Sequence, residues 1–264
     1  MENKRLFFGF DVACPWPERL PPGRLLAEPD RHLTLAFLGS GDEEKLSADL
    51  SVFSGLPFSI GLSAIFDHPL FLPRKSPRVA AWRIHWLEGG ELFSRFQHGF
   101  VDWLRERGWE PKGVRDEFLP HVTIARKPFG ILQWKEAFRK QPLFIRDFCL
   151  YESLGGLRYR ACWRCPVLAP FDEIEHTADI AFIVRGTSIQ NLFLHAQTAL
   201  SFHFPQLLDY FSFGEVGSLE GIVEALNRMI GKADAEIGSP FKAVSYHGNL
   251  KGMEILEWEM IVDV

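Results

Sequence analysis

His32-Leu-Thr-Leu-Ala-Phe-Leu-Gly39 and His121-Val-Thr-Ile-Ala-Arg126 are the two stretches from which the rest of the chain is read. Each opens with a histidine, an apolar residue, a threonine and a second apolar residue. Side chains alternate along a strand, so His32 and Thr34 share one face while Leu33 and Leu35 take the other. His121 and Thr123 stand in the same way against Val122 and Ile124. The two motifs lie 89 residues apart. Together they describe a site with two facing imidazoles, each accompanied by a hydroxyl. By the same alternation Arg126 falls on the wrong face for His121, and it joins the site only where the strand bends or ends.

Outward from these motifs, strands are predicted over 5–12, 31–38, 58–66, 79–86, 121–125, 143–152 and 159–167. The last two surround the turn Gly155-Gly156. The segment 15–29 holds five prolines and reads as a loop, and 69–78 is a second loop, Pro-rich and basic. A short helix over 42–50 has an acidic first turn. The helix over 90–108 is the clearest of this half, with Leu92, Phe93, Phe96, Phe100, Trp103 and Leu104 at helical spacing. A helical turn or two is expected over 134–140. Short hairpin links outnumber long crossovers, which predicts an α+β fold with largely antiparallel sheet.

The chain has 264 residues, 47% of them hydrophobic, enough for one large domain or two ordinary ones. Its net charge of −5 conceals an asymmetry. Residues 1–168 hold 24 of the 29 Lys and Arg and 20 of the 34 Asp and Glu; residues 169–264 hold the other five and 14. A mildly basic half joined to a strongly acidic one predicts domains at 1–168 and 169–264, divided near Leu168-Ala-Pro170. The basic half is too weakly charged overall to wrap a polyanion. In the acidic half, a strand is predicted over 180–184 and a helix over 188–201, with Leu192, Ala196, Ala199 and Leu200 on one side. A helix over 218–230 has Ser218 as N-cap, and strands over 241–246 and 254–262 form a hairpin through His247-Gly-Asn249. No apolar run approaches the roughly 20 residues of a membrane span, and no export signal is read at the amino terminus. The four cysteines are no disulfide framework. Cys162 and Cys165 sit on opposite faces of a predicted strand and read as buried thiols. A cytoplasmic protein is expected, with no membrane partner.

Paired histidines suit acid–base chemistry at a phosphodiester. Cleaving a cyclic phosphate with water needs a base for the water and an acid for the departing sugar oxygen, on opposite sides of the phosphorus. Imidazole serves both because its ordinary pKa lies near neutrality, and one ring must be neutral while the other is protonated. The threonines can hold nonbridging oxygens as fixed donors. This chemistry requires no metal or other cofactor.

HLTLAFLG and HVTIAR resemble the paired motifs of the two-histidine phosphoesterase superfamily, and are most similar to those of the LigT-like RNA 2′,3′-cyclic phosphodiesterases. RLFFGFD, the GGELFSRFQHGFVDWLRERGWEP helix, PHVTIAR and LYES follow in family order over about residues 4–168. The stretch between the opening strand and the first motif, usually helical in the family, is here shortened and proline-rich. The resemblance implies a two-lobed antiparallel-sheet domain in which the His-x-Thr strands face each other. It implies RNA with a 2′,3′-cyclic phosphate end as substrate and a 2′-phosphate product. His32 would be the acid for the 3′ oxygen and His121 the base, with Thr34, Thr123 and Arg126 on the phosphate. Two alternatives stand beside it: a small cyclic nucleotide as substrate, or a non-catalytic protein that binds RNA ends.

Beyond Pro170, EHTADI, SLEGIVEALNRMI and KAVSYHG resemble archease, the accessory protein of RtcB-type RNA ligases, over about residues 171–264. The stretch before KAVSYHG is abbreviated relative to that family. The resemblance implies a smaller α+β domain that assists ligase guanylylation. Asp179, Asp263 and the terminal Val264 would hold a divalent metal, with His176 and Lys242 as further functional residues. Hard oxygen donors of this kind suit Ca²⁺ or Mg²⁺.

Overall fold

The computed structural model describes residues 4–113, 118–177, 179–245 and 250–264. The first unit runs β1 (Lys4–Ala13), β2 (Arg24–Leu25), β3 (His32–Gly41), α1 (Glu43–Leu50), β4 (Ser63–Leu72), β5 (Val79–Trp86), α2 (Gly90–Glu106), β6 (His121–Arg126), α3 (Ile131–Ala137), β7 (Gln141–Gly155) and β8 (Arg158–Cys165). The second runs β9 (Phe171–Ile174), β10 (Ile180–Gly186), α4 (Ile189–His203), α5 (Leu219–Ile237), β11 (Ala243–Val244) and β12 (Leu256–Asp263).

All pairings between these strands are antiparallel. In the first sheet the order is β1-β3-β6-β5-β4-β7-β8, and β7 also pairs with β1, so six strands form a closed ring. The 15-residue β7 is the spine of that ring. Its start, Gln141–Phe144, pairs with β4, and its middle pairs with β1 from Ala13 to Leu6. One lobe is therefore β3-β1-β7-β8 and the other β6-β5-β4. Opposite the spine the lobes meet at a single registered pair, Leu33 and Val122. Both residues are fully buried in a core that includes Phe8, Phe10, Phe148 and the α2 residues Phe93 and Phe100. Helix α1 is capped by Asp42, whose carboxylate accepts from Glu44 N and Lys45 N and satisfies two free amides of its first turn.

Strand β4 starts later than the pattern suggested and continues through Pro69 to Leu72. Beyond Phe66 it pairs with β5 alone, so its outer edge needs no amide from proline. The proline-rich segment also carries local structure: β2, and a 3₁₀ turn at Glu28–Asp30. It is fastened by Trp134 Nε1 donating to Pro22 O at 3.1 Å, and by the Arg31 guanidinium stacked 4.5 Å from the Trp16 ring.

The second sheet has the order β11-β12-β10-β9 and packs against α4 and α5. Helix α4 was expected to bury one side, yet every residue from Leu192 to Ser201 is buried. It lies between its own sheet and β7, whose Phe144 joins the second core against Phe171 and Phe202. Helix α5 passes Gly231 and ends at Ile237, seven residues later than expected. Gly231 costs the helix less than burying Met229, Ile230 and Ala233 returns. The expected turn 247–249 lies outside the described residues.

The two units share a polar joint as well. Glu88, between β5 and α2, accepts from Ser63 N at 3.0 Å and meets His195 Nε2 of α4 at 2.5 Å; its other oxygen accepts from Asn191 Nδ2. His195 Nδ1 faces Arg185 O at 2.5 Å. Both imidazole nitrogens thus face acceptors, and Asn191 Nδ2 also lies 3.3 Å from Nε2. Beside this joint Gly61 admits no side chain, because a Cβ there would stand 2.0 Å from Ile145 O. Replacing Glu88 with Leu takes away the shared partner of Ser63 N, His195 and Asn191 and is expected to cost about 3 kcal/mol. Urea denaturation of wild type and E88L checks it; equal midpoints would contradict a structural role for the joint.

Candidate active site

The site is built where β3 and β6 meet. The Leu33–Val122 pair, extended one residue either way in an antiparallel register, sets His32 across from Thr123 and Thr34 across from His121. Leu33 and Val122 point into the core, so all four polar side chains face the opposite side. The motifs are related as halves of a pseudo-twofold.

Both strands then bulge at the same motif position. Against β1, Phe8 pairs with Ala36 and Gly9 with Thr34, so Leu35 is the extra residue. Against β5, Ala80 pairs with Ala125 and Ala81 with Thr123, so Ile124 is extra. Leu35 and Ala36, like Ile124 and Ala125, are consecutive buried residues. The bulge resets the alternation, and the sixth residue of each motif returns to the face of the histidine. Those sixth residues are Phe37 and Arg126. The strand-parity objection to Arg126 is therefore removed by the bulge at Ile124. Gly9 permits the matching approach of β1, since a Cβ there would lie 2.6 Å from Leu33 O.

The two imidazoles are oriented alike. His32 Nδ1 lies 2.8 Å from Asp30 O, and His121 Nδ1 lies 2.7 Å from Leu119 O. Each Nδ1 donates to the carbonyl two residues earlier, which leaves Nε2 as the atom for proton transfer. His32 stands against an aromatic wall. It is stacked on Tyr151 with centroids 5.2 Å apart, meets Tyr159 edge-on at 4.7 Å and lies 4.7 Å from Phe7. Desolvation by this wall lowers its pKa to about 4, against the raising effects of the Asp30 carbonyl and of the Asp30 and Asp11 carboxylates. The charge of His121 adds to the lowering, which places the second ring within electrostatic reach. On the strand beside His121, Arg83 is held by Asp67 through two hydrogen bonds.

A cavity of about 420 Å³ opens on this face, lined among others by Arg5, Thr34, Phe37, Lys112, His121 and Arg126. The Arg5 guanidinium lies 5.1 Å over the Phe37 ring. Three cations, a hydroxyl and an imidazole around one cavity suit a phosphate ester. Alternation alone does not show Arg5, Phe37, Lys112 or the tyrosine wall. The shared bulge would reveal Phe37, as the counterpart of Arg126.

In the second unit, the β10–β12 register pairs Ile180 with Val262, so Asp179 and Asp263 fall side by side at one end of the sheet. His176 Nδ1 stands 3.5 Å from Asp179 Oδ2. The Lys242 ammonium lies 3.8 Å from Asp263 Oδ1 and donates to Val264 O at 2.6 Å. The five residues singled out in the sequence thus gather at one sheet end, with an ammonium at the carboxylates of Asp263 and Val264. Among the described residues, the one group of three His, Cys, Asp or Glu close enough to share an ion is Glu43, Glu152 and Cys162. Lys4 already bridges its two carboxylates, and Arg160 pairs with Glu152. Cys162 and Cys165 are free thiols, both partly exposed, with burial raising the pKa of each. No helix among the described residues is long and apolar enough to cross a membrane.

Several solved structures are similar to this chain. A phosphoesterase shares 24% identity over 63% of this chain and 99% of its own, with a TM-score of 0.44. Escherichia coli LigT complexed with 3′-AMP shares 23% over the same proportions, with a TM-score of 0.45. A Thermus thermophilus protein shares 20% over 62% of this chain and 98% of its own, at 0.44. No family model and no curated protein matches the chain. At these scores the likeness lends no weight to the chemistry, which stands on the geometry of the two motifs.

The depressed pKa of His32 has two measurable consequences. By NMR its ring is expected to titrate near pH 4, and Tyr159→Ala, which opens the aromatic wall to water, should bring the midpoint toward 6.5. Because the folded-state value lies below the unfolded one, the stability tied to this ring is complete above pH 6.5 and declines as pH falls toward 4. A His32 midpoint near 6.5 in the wild type would overturn the account.

Proposed function

We propose that the first unit hydrolyses 2′,3′-cyclic phosphate ends of RNA by two-histidine acid–base catalysis. The observation that supports this reading is the antiparallel Leu33–Val122 contact, which sets histidine across from threonine and leaves Thr34 and His121 lining one cavity. With the phosphorus between the rings, His121 Nε2 takes a proton from water as its oxygen forms the new P–O bond. The P–O3′ bond breaks on the far side, and His32 Nε2 delivers its proton to O3′, leaving a 2′-phosphate. Thr34 and Thr123 donate to the nonbridging oxygens, and Arg126 adds a guanidinium.

The electrostatics of His32 fit an acid that is charged on demand. In the free site, burial keeps the ring neutral despite the carboxylates of Asp11 and Asp30. An anionic phosphate against Nε2 supplies the missing counter-charge and favours the imidazolium. The proton therefore arrives with the substrate.

Digestion of a cyclic-phosphate oligonucleotide, with product ends identified, tests the proposal. His32→Ala and His121→Ala are each expected to lower kcat by about 10²–10⁴-fold. A single variant with undiminished activity removes the two-role assignment. Cleavage of a cyclic mononucleotide but not the oligonucleotide favours the small-substrate reading. Binding without cleavage from pH 5 to 9 favours a protein that only holds RNA ends.

For the second unit, we propose an archease-like partner of an RtcB-type RNA ligase. Ligases of this type join RNA with 2′,3′-cyclic phosphate or 3′-phosphate ends, so the two units would work on related substrates in the cytoplasm. Asp179, Asp263 and the Val264 carboxylate would hold Ca²⁺ or Mg²⁺. Their donors are hard oxygens gathered at one sheet end, and the ion would take the place of the Lys242 ammonium beside Asp263 and Val264. Ligase guanylylation is expected to rise on adding the protein, and Asp179→Ala should abolish that rise. Isothermal titration with Ca²⁺ should give heat with wild type and none with Asp263→Asn. No stimulation by wild type rejects the partner role, and equal heats reject the metal site.

A further inference from the structure

Six exposed cations gather on the rim beside Arg126: Arg24, Arg74, Lys75, Arg78, Lys127 and Arg126 itself. They come from three segments that the sheet brings together. Arg24 of β2 pairs with Arg126 of β6, and Val79 of β5 pairs with Arg126 from the other side. Arg78 N donates to Leu72 O at 2.7 Å, and Arg78 O accepts from Lys127 N at 3.1 Å. Arg74 and Lys75 sit in the connection between β4 and β5.

This grouping contrasts with five other cations of the unit. Lys4, Arg83, Arg146, Arg160 and Arg164 each hold a carboxylate. Among the described residues, none of the six rim cations makes an ion pair, and the segments 20–27, 69–83 and 119–134 contain no Asp or Glu. Like charges at this density repel one another and gain from a polyanion that displaces its own counterions. The mild overall positive charge of residues 1–168 is thus concentrated where it meets the cavity, because Arg126 lines that cavity with Thr34 and His121.

We propose that this rim is a track for the RNA strand leading to the cyclic end, and this rests on the reading of the cavity as a cyclic-phosphate site. A 2′,3′-cyclic phosphate closes the 3′ end of a strand, so every other phosphate of the substrate lies on its 5′ side. A strand whose end sits between the histidines must leave past one edge of the cavity, and the rim beyond Arg126 offers its phosphates unpaired guanidinium and ammonium groups. A cyclic mononucleotide has no phosphates to place there. The rim therefore selects RNA chains over mononucleotides, through charge and without reading bases.

The test uses R74A/K75A/R78A, which leaves every residue assigned to the cavity in place, with R228A/K232A as a charge control on α5. Fluorescence anisotropy measures binding of a 3′-phosphorylated oligonucleotide over a salt series, and kcat/KM is measured on a cyclic-phosphate oligonucleotide and on a cyclic mononucleotide. Affinity and oligonucleotide kcat/KM are expected to fall about tenfold or more at low salt in the rim variant. The slope of log affinity against log salt should shrink by about 2, the single-strand value for three lost phosphate contacts. Mononucleotide turnover and the control variant should match wild type. Unchanged affinity and slope, or an equal loss on both substrates, would overturn the track. If wild type cleaves neither substrate, the phosphodiesterase reading fails, while the anisotropy series still decides whether the rim binds RNA.

Discussion

The contact of Leu33 with Val122 is the constraint from which the site follows. Two strands from opposite lobes touch at one buried pair and diverge on either side of it. That contact sets the register of the motifs, and an antiparallel register crosses them, histidine against threonine. Slippage by one residue would send the histidines into the core and the apolar residues to the cavity. Closure of the ring through β7 prevents such slippage, because β1 and β4 are both anchored on the same 15-residue strand.

The pair of bulges is the second consequence of that arrangement. A regular strand would present only alternate residues and confine each motif to two polar positions. An extra residue at Leu35 and at Ile124 brings the sixth position to the same face. One motif uses it for an aromatic ring, the other for a guanidinium. At His32 the environment, not the ring type, sets the proton affinity: three aromatic rings withdraw water from an imidazole that would otherwise titrate near neutrality. Acid–base catalysis needs its two groups tuned in this way, by what surrounds them.

The second unit is not a free appendage. Phe144 of β7 lies in its core, and the Glu88–His195 contact ties α4 to the loop that leads into α2. A displacement of the second unit therefore bears on the strand that closes the six-strand ring. Burial of the His195–Glu88 contact at this joint penalises any arrangement that separates the partners without solvating them.

Local pattern was enough to put each histidine on the strand face of its threonine, because alternation in a strand is a property of the backbone itself. Helices α1 and α2 were legible for the same reason, as was the hairpin of β7 and β8 around its glycines. Arg126 was placed only by tertiary pairing: a bulge depends on what β5 offers opposite Ile124, and no local signal records it. The protonation preference of His32 comes from Phe7, Tyr151 and Tyr159, which three different strands bring to one ring. The basic rim has the same origin, since Arg24, Arg78 and Lys127 are neighbours only through the sheet. Residue type and strand alternation determined which groups can do chemistry; long-range pairing decided which of them meet, and how much water they keep.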